Sequence, residues 1–121
     1  MSKFRTDNTF EKRLLLSSKI RAQHPNRVPV VLDIAKSTRS SSEQLPTPKN
    51  EKILVPCEYT IGKMMFQIRS QLQLRPDTAL FLFVGKGTLP PTGALVGQVY
   101  ERYKNEDGFL YFTIASESTF G

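Results

Sequence analysis

Apolar residues recur along the chain at two periods, and the change from one to the other predicts the order of elements. From Thr9 to His24, Phe10 pairs with Leu14 and Leu16 with Ile20. Residues four apart share a helical face, so the segment reads as a helix. Asn8 or Thr9 can cap it, Glu11 suits the positive end of its dipole, and Pro25 stops it. No pattern assigns the first eight residues. After a turn at Asn26, the valine- and isoleucine-rich Arg27 to Ile34 predicts a strand in which Pro29, lacking an amide hydrogen, points its nitrogen away from a neighbouring ladder. A second strand, Lys52 to Pro56, ends at its proline. A helix capped by Thr60 follows to about Leu72, with Ile61, Met65 and Ile68 as its buried stripe and Met64 and Leu72 near the edges. Ala79 to Val84 is a continuous apolar run and predicts a central strand buried on both faces, with Phe81 and Phe83 in the core beside Ile61. A short helix starting near Leu95 lies within Thr92 to Tyr103. Asn105 to Gly108 turns the chain, and Phe109 to Ile114 alternates as the last strand.

The predicted order is helix, strand, strand, helix, strand, helix, strand. It describes an α+β domain, a ubiquitin-like β-grasp with a four-stranded mixed sheet and packed helices, plus an N-terminal helical extension. The corresponding division is 1–25 for the extension, 26–115 for the β-grasp domain and 116–121 for a flexible polar tail. Between the first two strands, Lys36 to Asn50 carries Ser37, Ser40, Ser41, Ser42, Pro46 and Pro48, and reads as a long mobile loop.

Composition narrows the function more than the fold. One cysteine, Cys57, excludes an intramolecular disulfide and suits a reducing, cytoplasmic compartment. The longest apolar run is too short to span a bilayer, and Leu14-Leu15-Leu16, flanked by charge and serine, makes no signal-peptide core. Seventeen Lys and Arg against eleven Asp and Glu leave a net charge of +6, which favours acidic peptides or anionic surfaces. No zinc spacing, basic zipper or RNA-recognition strand is present, so no nucleic-acid partner is expected. Catalytic parts are also missing. His24 sits at a helix end before a proline, Cys57 has no histidine near it in sequence, and Glu101, Glu106 and Asp107 read as a solvated acidic face. Val84-Gly85-Lys86-Gly87-Thr88 lacks phosphate-loop spacing and reads as a turn. Neither an enzyme nor a cofactor is expected.

Several segments in order resemble the GABARAP-type ubiquitin-like autophagy modifiers. They are Phe10-Glu11-Lys12-Arg13, Lys19-Ile20-Arg21, Pro25 to Val30, Leu54-Val55-Pro56, Thr60-Ile61-Gly62, Phe66-Gln67-Ile68-Arg69 and Ala79 to Val84. Leu89-Pro90-Pro91-Thr92, Gly97-Gln98-Val99-Tyr100, Glu106 to Tyr111 and Phe120-Gly121 complete the series. The resemblance implies that Gly121 is activated as an adenylate, passed as a thioester between activating and conjugating enzymes, and joined to the amine of phosphatidylethanolamine on autophagosomal membranes. A cysteine protease that processes and deconjugates the chain is implied as well. A glycine suits this chemistry because it has no side chain to obstruct a narrow catalytic channel.

The resemblance further implies capture of adaptor peptides carrying an aromatic residue, two variable residues and an aliphatic one. The peptide would add a strand to the edge at Lys52 to Val55. Its aromatic pocket would use Ile20, Pro29, Lys52, Leu54 and Phe109. Its aliphatic pocket would use Ile53, Val55, Pro56, Tyr59, Met64 and Ile68. Arg27 and Arg69 would form a basic rim with Lys52. The sequence departs from the family pattern at several points, among them Ser70 and Gln71, which thin the basic cluster after Arg69, and a longer loop from Lys36 to Asn50. Leu16 stands where relatives commonly have a glutamate, which makes the aromatic rim more apolar. Gln67 replaces an aliphatic wall residue, and Met64 stands in for a phenylalanine. An alternative reading is an unconjugated basic adaptor that binds microtubules or anionic surfaces through the N-terminal charges of Phe4-Arg5, Lys12-Arg13 and Lys19-Arg21. A modifier that targets proteins is a third.

Overall fold

The computed structural model describes residues 3–35, 51–74 and 78–116. The serine-rich loop, Phe120 and Gly121 lie outside them. The elements run α1 Lys3–Asp7, α2 Phe10–Gln23, β1 Arg27–Ile34, β2 Lys52–Pro56, α3 Ile61–Leu72, β3 Leu80–Val84, α4 Val96–Tyr103 and β4 Leu110–Ser116. The caps follow local chemistry. Thr9 Oγ1 accepts from the Lys12 amide at 3.2 Å, and Thr60 Oγ1 accepts from the Lys63 amide at 3.1 Å.

The four strands form one mixed sheet in the order β2-β1-β4-β3, with β1 and β4 parallel and the outer pairs antiparallel. On one face, Val28, Val30 and Leu32 of β1, Leu110, Phe112 and Ile114 of β4, and Leu80, Leu82 and Val84 of β3 pack with α3 and α4. On the other, Val31, Phe4 and Phe109 form a smaller cluster with Leu16, Ile20 and Tyr111. The N-terminal helices therefore pack as a layer on the second sheet face, which explains why β1 is buried from Val28 to Leu32.

Three sequence expectations are corrected. The apolar run at β3 forms an edge strand, and its burial alternates: Leu80, Leu82 and Val84 are enclosed, while Phe81 and Phe83 are half-buried and outside the core. A run apolar on both faces conceals its period of two, so composition alone misplaced it. In α3 the buried stripe is Ile61, Met64, Ile68 and Leu72, with Met65 only half-buried. Spacings of three and four from Ile61 are both helical, and packing against the sheet selects the first. Asp107 is fully buried and is not part of a solvated face.

That burial is supported by a polar hub. Arg13 Nη1 lies 2.7 Å from Asp107 Oδ2, and the Tyr111 hydroxyl donates to the same oxygen at 2.5 Å. The Phe109 amide donates to Asp107 Oδ1 at 2.9 Å. Ser17, buried in the middle of α2, donates to the Asp107 carbonyl at 2.5 Å. Gly108, at φ +88°, lies under Ser17, where a Cβ would collide with the serine side chain. A small residue is therefore required on each side of this contact, and α2 turns Ser17 inward while Leu15 stays 72 % exposed. Phe10 and Leu14 do share a face, but it is turned largely to solvent; the Leu16–Ile20 side meets the sheet.

Burial, reinforced by the bond to Asp107, pushes the Tyr111 phenol from its ordinary 10.0 up to about 12. The folded chain thus keeps a proton that the unfolded chain releases near pH 10. The stability from this group is complete below pH 10 and is lost as pH rises towards 12. Tyr111→Phe is expected to flatten the fall in the urea midpoint over that range, leaving the slope due to Tyr100, whose phenol burial also raises. An unchanged slope in the variant would rule out this origin.

Candidate peptide-binding cleft

The sheet order leaves β2 at an edge. It pairs with β1 alone, from Arg27 opposite Pro56 to Val31 opposite Lys52, and among the described residues no strand occupies its outer side. An edge strand presents unpaired amides and carbonyls along that side. Because side chains alternate, Lys52 and Leu54 turn towards α2, and Ile53 and Val55 towards α3.

Beside this edge lies a cleft of about 150 Å³ lined by Leu16, Ile20, Pro29, Lys52, Ile53, Leu54 and Phe109. The structure thus brings together Ile20, Pro29, Lys52, Leu54 and Phe109, which come from α2, β1, β2 and the residue just before β4. It adds Leu16 and Ile53. Ile53 also packs partly against the main core, so it sits between the two regions. Phe109 is enclosed, and Phe4 of α1 meets it edge-on with ring centroids 4.9 Å apart. Lys52 Nζ lies 5.0 Å from the centroid of the Phe4 ring. Phe4 therefore backs the cleft floor and holds the ammonium at its edge. Sequence reasoning missed this role; the one signal was that Phe4 is the only aromatic residue among the first eight.

The residues named for an aliphatic pocket are arranged differently. Val55, Met64 and Ile68 are enclosed in the main core, whereas Ile53, Pro56 and Tyr59 are half-buried. The first three belong to the core and are at most 2 % exposed. Tyr59 stands in the same region, with Lys63 Nζ 4.3 Å above its ring and Gln67 Nε2 donating to its hydroxyl at 3.4 Å. Gln67, which stands where an aliphatic wall was expected, is exposed and brings an amide to this region.

Of the expected basic rim, Arg27 is exposed and its carbonyl accepts from Arg21 Nη1 at 2.7 Å. Arg69 is half-buried, and its Nη1 donates to the Thr78 carbonyl at 2.6 Å, fixing the chain as it approaches β3. Part of its hydrogen-bonding capacity is therefore structural. His24 is an exposed helix cap whose amide donates to the Ile20 carbonyl, and Cys57 is a free thiol. No cluster of metal-ligating side chains occurs among the described residues, and no described helix is long and apolar enough to cross a membrane.

A four-stranded mixed sheet packed against α3 and α4 on one face, with N-terminal helices on the other, defines a ubiquitin-like protein. The model of the family described as "Autophagy protein Atg8 ubiquitin like" matches residues 12–121. Autophagy-related protein 8b of Arabidopsis thaliana is 42 % identical over 118 residues, 98 % of this chain and 92 % of that protein. Autophagy-related protein 8 of Emericella nidulans is 40 % identical over 120 residues, covering 99 % and 97 % of the two chains. The crystal structure of Trypanosoma brucei ATG8 superposes with a TM-score of 0.88 at 33 % identity, covering 100 % of this chain and 99 % of that one. The chain belongs to the Atg8 family. It is an autophagy-related ubiquitin-like modifier and not an enzyme.

Proposed function

We propose that this protein is joined through Gly121 to phosphatidylethanolamine on autophagosomal membranes, and that it there recruits adaptors whose peptides carry an aromatic residue followed three positions later by an aliphatic one. The single observation supporting recruitment is the placement of the aromatic cleft directly beside the unpaired edge of β2. A bound strand would satisfy the edge amides and carbonyls while its anchor residue enters the cleft. Activating and conjugating enzymes, and a processing and deconjugating cysteine protease, complete its partners. The cytoplasm is its location before conjugation.

Leu54→Arg tests recruitment. Leu54 lines the cleft from the edge strand itself, so a guanidinium there removes apolar lining and introduces a charge that costs energy to bury. Affinity for an acid-flanked aromatic-x-x-leucine peptide, measured by titration calorimetry, is expected to fall by about tenfold or more, equivalent to ~1.4 kcal/mol. Conjugation should continue, because the substitution is remote in sequence from Gly121. Unaltered peptide affinity would remove the cleft from the proposal.

A further inference from the structure

We infer that the cleft selects tyrosine or phenylalanine over tryptophan as the anchor residue, with Leu16 and Lys52 as its specificity-determining side chains. The inference rests on the proposal that the cleft takes an aromatic anchor, and it concerns only which one. Six of the seven lining side chains, Leu16, Ile20, Pro29, Ile53, Leu54 and Phe109, are apolar. The seventh, Lys52, is a donor with no acceptor capacity. Its ammonium is held at the edge by the Phe4 ring, which in turn packs on Phe109.

This lining matches the three aromatic side chains unequally. An indole N–H is only a donor, and no side chain in the cleft can accept from it. A tryptophan anchor would leave that N–H unsatisfied or keep it turned to water, limiting how deeply the ring can sit. Phenylalanine has no polar atom to satisfy. A tyrosine hydroxyl, at the far tip of its ring, can accept from the exposed Lys52 at the rim, gaining a charge-assisted bond while its own hydrogen stays turned to water. Leu16 is decisive because it occupies the α2 side of the cleft, where an acidic side chain would supply the missing acceptor.

Three peptides identical except for tyrosine, phenylalanine or tryptophan at the anchor, each with leucine three positions on and acidic residues before it, are titrated against the full chain. The expected order is tyrosine, then phenylalanine, then tryptophan, with tyrosine about threefold or more tighter than tryptophan, a difference typical of one modest hydrogen bond. Leu16→Glu should move tryptophan to first place. Lys52→Met should remove the advantage of tyrosine over phenylalanine. Because Leu16 packs against the Phe4–Val31–Phe109 cluster, Leu16→Glu is expected to lower the thermal midpoint, so the three peptides are ranked within each variant, where that loss is common to all three. Tight binding with tryptophan first in the wild type would overturn the inference while leaving peptide capture standing. No binding by any of the three would overturn both.

Discussion

Deleting Gly121 is expected to abolish the mass gain of one phosphatidylethanolamine in cells starved to induce autophagy, with no detectable residual adduct by intact-mass measurement. The proposed chemistry requires a particular carboxylate. It attacks the α-phosphate of ATP, forming an acyl-adenylate and releasing pyrophosphate. An enzyme thiol then displaces AMP to give a thioester, and the lipid amine finally displaces the thiol to give an amide. In the deletion variant the terminal carboxylate belongs to Phe120, whose Cβ and ring would have to enter a channel suited to glycine. The effect is therefore all-or-none. Peptide affinity should be unchanged, since the cleft is built by residues between Leu16 and Phe109. A truncated chain that is still lipidated would overturn conjugation through Gly121. Absence of any adduct from the wild-type chain would favour the unconjugated adaptor, whose binding to anionic surfaces should weaken steeply with salt.

Asp107→Ala is expected to destabilise the fold by about 3–5 kcal/mol, the range for breaking a buried ion pair by removing one partner. The Asp107 side chain is fully enclosed and that of Arg13 only 11 % exposed, so the substitution leaves the guanidinium poorly solvated and without its carboxylate. It also strips an acceptor from the Tyr111 hydroxyl and from the Phe109 amide. The Arg13 Nε bond to the Asn8 carbonyl, and the Asn8 amide bond to the Phe4 carbonyl, link the same guanidinium to α1. Loss of Asp107 should therefore also loosen Phe4 from Phe109. Chemical denaturation measures the first effect. Faster hydrogen exchange in residues 3–23 measures the second. Replacing the pair together, as Arg13→Met with Asp107→Asn, should cost less than Asp107→Ala alone, because no uncompensated charge remains. A loss below about 1 kcal/mol in Asp107→Ala would show that the pair behaves like an exposed one.

Local sequence was a sound guide wherever structure depends on near neighbours. Thr9 and Thr60 cap the helices assigned to them because a threonine oxygen reaches an amide three residues on. β1 and β2 occupy the spans expected from their β-branched residues and flanking prolines. Five residues that line the cleft were named through resemblance to relatives, because the segments that hold Ile20, Pro29, Leu54 and Phe109 are recognisable in this sequence. The helix Lys3–Asp7 was not legible. Five residues are too few to show a period or to be stable alone, and its single enclosed side chain, Phe4, is held by residues about fifty and one hundred positions away.

The sequence by itself determined the order of elements from α2 onward, the caps of α2 and α3, the turns, the net charge and the family, since each depends on residue type and short spacing. Tertiary structure decided which side of each element faces inward. It placed β3 at an edge although its composition suits a centre, and chose Met64 over Met65 from two equally helical stripes. It turned Ser17 inward past three leucines because Gly108 leaves room for nothing larger, and buried Asp107 because Arg13, ninety-four positions earlier, supplies the opposite charge. It also closed Val55, Met64 and Ile68 into the core and left Tyr59, Lys63 and Gln67 over that region. These outcomes share one physical cause. Burial and charge pairing are properties of surfaces brought together by the whole fold, and no local window of sequence contains both partners.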